Sequence, residues 1–204
     1  MTKDGHHHFT AAETRVLRRL KTPARIQHFL NELPYHVADT AWSPRKVLRE
    51  GTAHCLEGAL LAAAALRVNG FPPLLMDLEA IQDTDHVLAV FQIDGHWGAI
   101  AKSNFSGLRY REPVYRTLRE LAMSYFDDYF NYRGERTLRG YSRPINLSQF
   151  DRVQWMTTEK SVWAVPELLL KIHHIPLISD EQARRLSRVD KRCYDAGTLG
   201  ALRH

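Results

Sequence analysis

The chain has 204 residues, 44% hydrophobic and 25% charged, which is enough to close a substantial core as one domain spanning 1–204 without disulfides. Its two cysteines exclude a disulfide framework and favour a reducing, cytoplasmic setting; the opening MTKDGHHHF lacks the apolar run of a secretion leader, and no apolar stretch reaches membrane-span length. The net charge of +5 is spread along the chain and is densest at Arg15–Lys21 and Arg184–Arg192, so it reads as solvated surface and argues against nucleic acid as the partner.

In chain order, Thr10 with Glu13 three residues on forms a capping box, and apolar residues at helical spacing continue to Leu33. Pro23, preceded by Thr22 as a second cap, divides this stretch into two helices, and Pro34 ends it. Residues 35–42 read as a loop. Ser43-Pro44 starts a short helix that runs to Glu50 and stops at Gly51. A third helical segment spans 55–68, with alanines at 59 and 62–65 that permit close approach to a neighbour; Asn69-Gly70 ends it. Leu74–Leu78 is then a strand, and 81–85 a polar loop.

The runs His86–Ile93 and His96–Ala101 around Asp94-Gly95 predict a hairpin with Ile93 opposite His96. Continuing that register sets His86 opposite Ser103, or opposite Lys102 or Asn104 if one residue bulges. A strand near Leu108–Tyr110, a helix over Thr117–Phe130, a mixed polar stretch over 131–153, a helical stretch over 159–173 carrying Pro166, and a terminal helix over Ser179–Cys193 complete the expectation. Helices, a short antiparallel sheet, then helices make an α+β fold.

Cys55 begins its helix. A thiol there meets the positive end of the helix dipole and free backbone N–H groups that can hold an oxyanion. A thiol nucleophile also needs a base oriented by a third polar group. His86 opens the hairpin and is the candidate base; Asn104, or Ser103, is the candidate orienting group, an amide oxygen being suited to accept from an imidazole N–H.

The segments "GTAHCLEGALLAAAALRVNGFPP" and "DHVLAVFQIDGHWGAIAKSN" together resemble the transglutaminase-like superfamily across residues 43–105. The resemblance rests on the cysteine at a helix start, the segment Leu66–Pro72, the strand opening with His86, and Trp97 on the return strand. It implies a papain-like core in which the Cys55 helix packs on a small antiparallel sheet, with helical extensions at 10–34 and 155–195. It implies a cysteine-dependent peptidase, amidase or transamidase acting on a peptide, protein or small amide, as in uncharacterised bacterial members. The family's aspartate after the tryptophan has no counterpart in "WGAIAKSNF", where Asn104 stands in. Trp97, Trp42, Arg109 and Tyr110 are the candidate substrate contacts. No cofactor is expected, and no calcium-loop pattern is present; His54, Cys55, His86 and His96 match no compact zinc spacing, so no metal is expected.

Each residue also has an ordinary reading. Cys55 can be a small buried hydrophobe, His86 a strand histidine bonded to a carbonyl, Asn104 a loop cap, and Glu57 a partner of Arg67 or of solvent. Cys193 reads as a surface or packing thiol, and His173-His174 as a helix end. Two other functions therefore stay open: a catalytically inactive binding module of the same superfamily, and a basic nucleic-acid-binding protein.

Overall fold

A computed structural model describes residues 9–202; His6, His7 and His8 lie outside them. Helix α1 (Ala11–Arg19) carries the Thr10–Glu13 capping box, and α2 (Pro23–Glu32) starts with Thr22 as cap and Pro23 in its first turn. Helix α3 (Pro44–Glu50) ends at Gly51, whose φ of 68° is the left-handed conformation that glycine takes without steric cost. Helix α4 (Cys55–Val68) comes next.

Strands β1 (Leu74–Ala80), β2 (His86–Ile93), β3 (His96–Ile100), β4 (Arg111–Tyr115), β5 (Leu138–Ser142), β6 (Ile145–Asn146) and β7 (His174–Pro176) form one antiparallel sheet. The order is β4-β3-β2-β1-β5-β7, with β6 also pairing with β1. The remaining helices are α5 (Leu118–Met123), α6 (Ala164–Leu169), α7 (Asp180–Arg184) and α8 (Lys191–Gly197), with a 3-10 helix over Leu147–Val153. The fold is α+β.

Alternation along the strands assigns residues to two layers. Leu75, Val87, Ala89 and Phe91 pack with α4 in one core, while Met76, Leu78, Leu88 and Val90 pack with Leu121, Tyr125 and Tyr129 in another. Helix α4 is buried from Leu56 to Leu66 and touches α1, α2, α3, β1 and β2. A helix hemmed in on every face needs small side chains, which is what its five alanines supply. At its end, the Asn69 amide donates to the carbonyls of Leu17, Leu20 and Ala65, closing the C-termini of α1 and α4 with one side chain.

The hairpin forms with Ile93 opposite His96, as expected from Asp94-Gly95. The ladder ends sooner than expected, at Ala89 opposite Ile100, so neither Ser103 nor Lys102 nor Asn104 faces His86, which pairs with Leu78 of β1. The cause is Gln27, whose amide accepts from the Ala101 N–H and donates to the Ala101 carbonyl, both at 2.9 Å. A side chain on α2 thus takes the place of a neighbouring strand. Lys102 then turns inward and its ammonium donates to the Leu30 and Leu33 carbonyls at the end of α2. Burial pulls that ammonium down to about 8.

Other expectations are corrected. The strand foreseen at Leu108–Tyr110 lies at Arg111–Tyr115. The helix foreseen over Thr117–Phe130 stops at Met123, where the Ser124 hydroxyl donates to the Leu121 carbonyl at 2.6 Å and the chain continues in turns. The terminal helix is two helices, since Asp190 accepts from the N–H groups of Arg192 and Cys193 and starts a new one. His174, foreseen at a helix end, lies on edge strand β7, and its Nε2 is 2.9 Å from the Asp77 carboxylate. Among the described residues, no helix is long and apolar enough to cross a membrane.

Candidate functional site

Cys55 is the first residue of α4 and His86 the first of β2, and both line one cavity of about 450 Å³. Its wall also includes Tyr35, Asp85, Ser103, Asn104, Tyr129 and Tyr132. The two layers of the fold meet here. Cys55 arrives with the α4 layer and is flanked by the Val87 backbone N–H. His86 shares the parity of Leu88 and Val90, and its ring meets Tyr129 edge to face, with centroids 6.4 Å apart.

His86 is 5% exposed, and its Nε2 lies 2.9 Å from the Leu108 carbonyl. A carbonyl only accepts, so this contact places the proton on Nε2 and leaves the Nδ1 lone pair unprotonated. Among the described residues Nδ1 has no hydrogen-bond partner, yet it is not among the polar atoms sealed from solvent. Burial first, and the Arg111 charge to a smaller degree, push the imidazole down to about 4; the Leu108 carbonyl opposes them.

The Cys55 residue keeps partial access through the cavity, but the protein packed around it is dense enough that burial raises the thiol. The N–H groups of Val87 and Leu56 act against that rise, and the Asp77 carboxylate reinforces it. Thiol and imidazole therefore rest as a neutral pair, and no hydrogen bond joins them among the described residues. The Tyr35 hydroxyl lies against both the Cys55 thiol and the Cys55 backbone N–H.

The candidate orienting residues are engaged elsewhere. Asn104 bonds to the Tyr132 hydroxyl and to the main chain of Leu202, and the Ser103 hydroxyl accepts from the Phe105 N–H. Both line the cavity, but the Leu108 carbonyl holds His86. The candidate substrate contacts stand outside the cavity wall. Trp42 packs on His36 at 4.6 Å with the Lys46 ammonium over its ring, and Trp97 packs in the layer opposite α4. Tyr110 stacks on Phe91, and the Arg109 Nε is buried without a partner.

Glu57 does not meet Arg67, which pairs with Asp151 at 2.5 Å. It is fully buried and accepts from the Thr40 hydroxyl at 2.7 Å and the Trp42 N–H at 3.0 Å, fastening loop 35–42 to the start of α4. His36, His54 and Glu57 bring one ligand atom each within 4.8 Å of one another. Among the described residues these could hold a metal, but His54 Nε2 is 2.9 Å from the Thr40 carbonyl and donates its N–H there, so that nitrogen has no lone pair to offer.

Sequence reasoning missed Tyr35, Leu108, Tyr129 and Tyr132. Their only signal is the aromatic content of two irregular segments, and Leu108 acts through a backbone atom that no residue type announces. Cys193, expected as a surface or packing thiol, is exposed, and the Asp190 carboxylate raises its thiol. No known family model matches this chain, and no curated protein matches it.

Proposed function

We propose that this chain is a cysteine-dependent acyl-transfer enzyme of transglutaminase-like type, with a papain-like core, acting on amide or peptide bonds. The observation that carries this reading is the shared cavity of Cys55 and His86, with the imidazole proton fixed on Nε2 by the Leu108 carbonyl. The chemistry is that of a neutral pair. The Cys55 sulfur bonds to the substrate carbonyl carbon as its proton passes to His86 Nδ1, so charge develops during attack instead of standing in advance. The carbonyl oxygen becomes an oxyanion facing the N–H groups at the start of α4 and the Tyr35 hydroxyl. Collapse breaks the C–N bond, His86 returns the proton to the leaving amine, and a thioester on Cys55 remains. Water or a second amine then accepts the acyl group.

In this reading a backbone carbonyl, not Asn104 or Ser103, orients His86. The histidine is pre-set for one tautomer without a carboxylate to stabilise the imidazolium. An acyl-trapping experiment tests the proposal: p-nitrophenyl acetate at pH 7.5, with the modified peptide identified by mass spectrometry and Cys193 as internal control. Cys55 is expected to acylate in a stoichiometric burst, and His86→Ala to slow it by about 10²–10⁴-fold. Acylation of Cys55 no faster than Cys193, unchanged by His86→Ala, would overturn the enzyme reading. The raised thiol and lowered imidazole would then fit the second reading, a catalytically inactive binding module.

A further inference from the structure

The Asn104 side-chain amide is matched to the main-chain N–H and carbonyl of one residue. Its Oδ1 accepts from the Leu202 N–H at 2.9 Å and its Nδ2 donates to the Leu202 carbonyl at 3.1 Å. The Tyr132 hydroxyl donates to the same carbonyl at 3.0 Å and accepts from Asn104 Nδ2. Both residues line the cavity that holds Cys55. The segment reaches them from α8, which is fastened to the same loop by the Ser106 N–H on the Gly197 carbonyl and the Ser106 hydroxyl on the Ala196 carbonyl.

What is bound is main chain. Leu202 is 49% exposed and Leu199 79%, so among the described residues neither leucine is buried as an apolar anchor. A segment fixed for stability gains most from buried apolar area, whereas exposed hydrogen bonds each contribute little and exchange readily. Nothing in the contact depends on leucine, and any residue except proline carries the N–H that Asn104 accepts from.

We infer that Asn104 and Tyr132, on the wall of the cavity that holds Cys55, form a main-chain subsite that takes a peptide, and that the main chain of Leu202 fills it in competition with that peptide. The inference deepens the proposed function by making peptide the substrate class, and it rests on that reading only for the chemistry after binding. A proline cannot supply the Leu202 N–H but keeps the carbonyl, so Leu202→Pro in the full chain removes one of the three hydrogen bonds that fill the subsite and weakens its occupancy without altering Asn104 or Tyr132.

The test uses a fluorescein-labelled peptide Leu-Gly-Ala-Leu-Arg-His, copied from residues 199–204, with fluorescence anisotropy on the full chain. The Leu202→Pro protein is expected to bind it up to about fivefold more tightly than the native chain. Changing the peptide's own second leucine to alanine should leave binding within about twofold, while changing it to proline should weaken it about fivefold, the loss of one hydrogen bond; these two arms require no change in the protein. Asn104→Leu and, separately, Tyr132→Phe in the Leu202→Pro background should each weaken binding by tenfold or more. Saturating peptide should slow iodoacetamide alkylation of Cys55 and leave Cys193 unaffected. Equal binding of the proline and alanine peptides, or no gain from Leu202→Pro, overturns the subsite. Cys55→Ser should bind the peptide undiminished, so the subsite can stand where acyl trapping fails, and can fall where acyl trapping succeeds.

Discussion

The two layers that cover the sheet are built by different means. On one face lies α4, a single regular helix whose small and apolar side chains fill the space around it. On the other lie turns and short elements carrying Leu108, Tyr125 and Tyr129, which pack into a core and are also fixed by tyrosine hydroxyls: Tyr125 donates to the Arg109 carbonyl at 2.7 Å and Tyr129 to the Thr84 carbonyl at 2.8 Å. The nucleophile candidate comes with the first layer and its base with the second. A site at this seam joins a rigid partner to one whose position depends on directed hydrogen bonds, so damage to either layer should reach the site differently.

The largest effect is expected in the helical layer. Leu60 is fully buried, and Leu60→Ala removes apolar contact and leaves a cavity that a helix enclosed on all sides has no room to collapse into. A loss of about 2–5 kcal/mol is expected in urea unfolding. A loss under 1 kcal/mol would show that α4 can shift to fill the space, and the picture of a rigid nucleophile platform would fail.

Next comes His86, which ties stability to pH. Its imidazole titrates near 4 in the folded chain and near 6.5 when unfolded. The unfolded chain therefore binds the proton more readily, and stability falls as pH drops from about 6.5 towards 4. The difference corresponds to about 3 kcal/mol when complete. Asp77, raised to about 6 chiefly by burial, acts in the opposite direction over the same window, so the informative quantity is the difference between native and His86→Gln proteins. Guanidinium melts at pH 4.5, 5.5 and 6.5 should show a steeper acid loss for the native chain. Parallel curves would mean that His86 is solvated, and the neutral pair with Cys55 would lose its basis.

The contrast between layers also explains what the sequence disclosed. Helices α1 to α4, their caps, β1, β2 and the Asp94-Gly95 turn were legible because each is fixed by neighbours in sequence: a cap, a period, a turn pair. The positions of Cys55 and His86 at the starts of α4 and β2 were legible, because caps and a turn pair fix those elements, and both residues line one cavity. The rest depends on distant partners. Gln27 ends the β3 ladder from 74 residues away, and Asp77 receives His174 from 97 away, so neither could be read locally. Counting register past Ile100 places Ser103 opposite His86 because nothing nearby announces that a glutamine amide substitutes for the next strand. Asn104 has the right chemistry for an orienting group, but its amide is occupied by the main chain of Leu202.

The smallest effect sharpens the comparison most. Tyr129→Phe keeps the ring that meets His86 edge to face and deletes only the hydroxyl bonded to Thr84, in the loop that leads into β2. With the carbonyl left able to find water, the cost in stability should be about 1 kcal/mol. The ring contact should hold His86 in place, so the acid dependence of stability should persist. The Thr84 loop, however, forms the cavity wall beside His86. Amide hydrogen exchange over residues 81–85 should therefore quicken severalfold in the variant, while exchange in α4 stays as in the native chain. If exchange in α4 quickens equally, the two layers open as one unit, and the division of the site between a rigid helix and a hydrogen-bonded loop is not how this molecule is built.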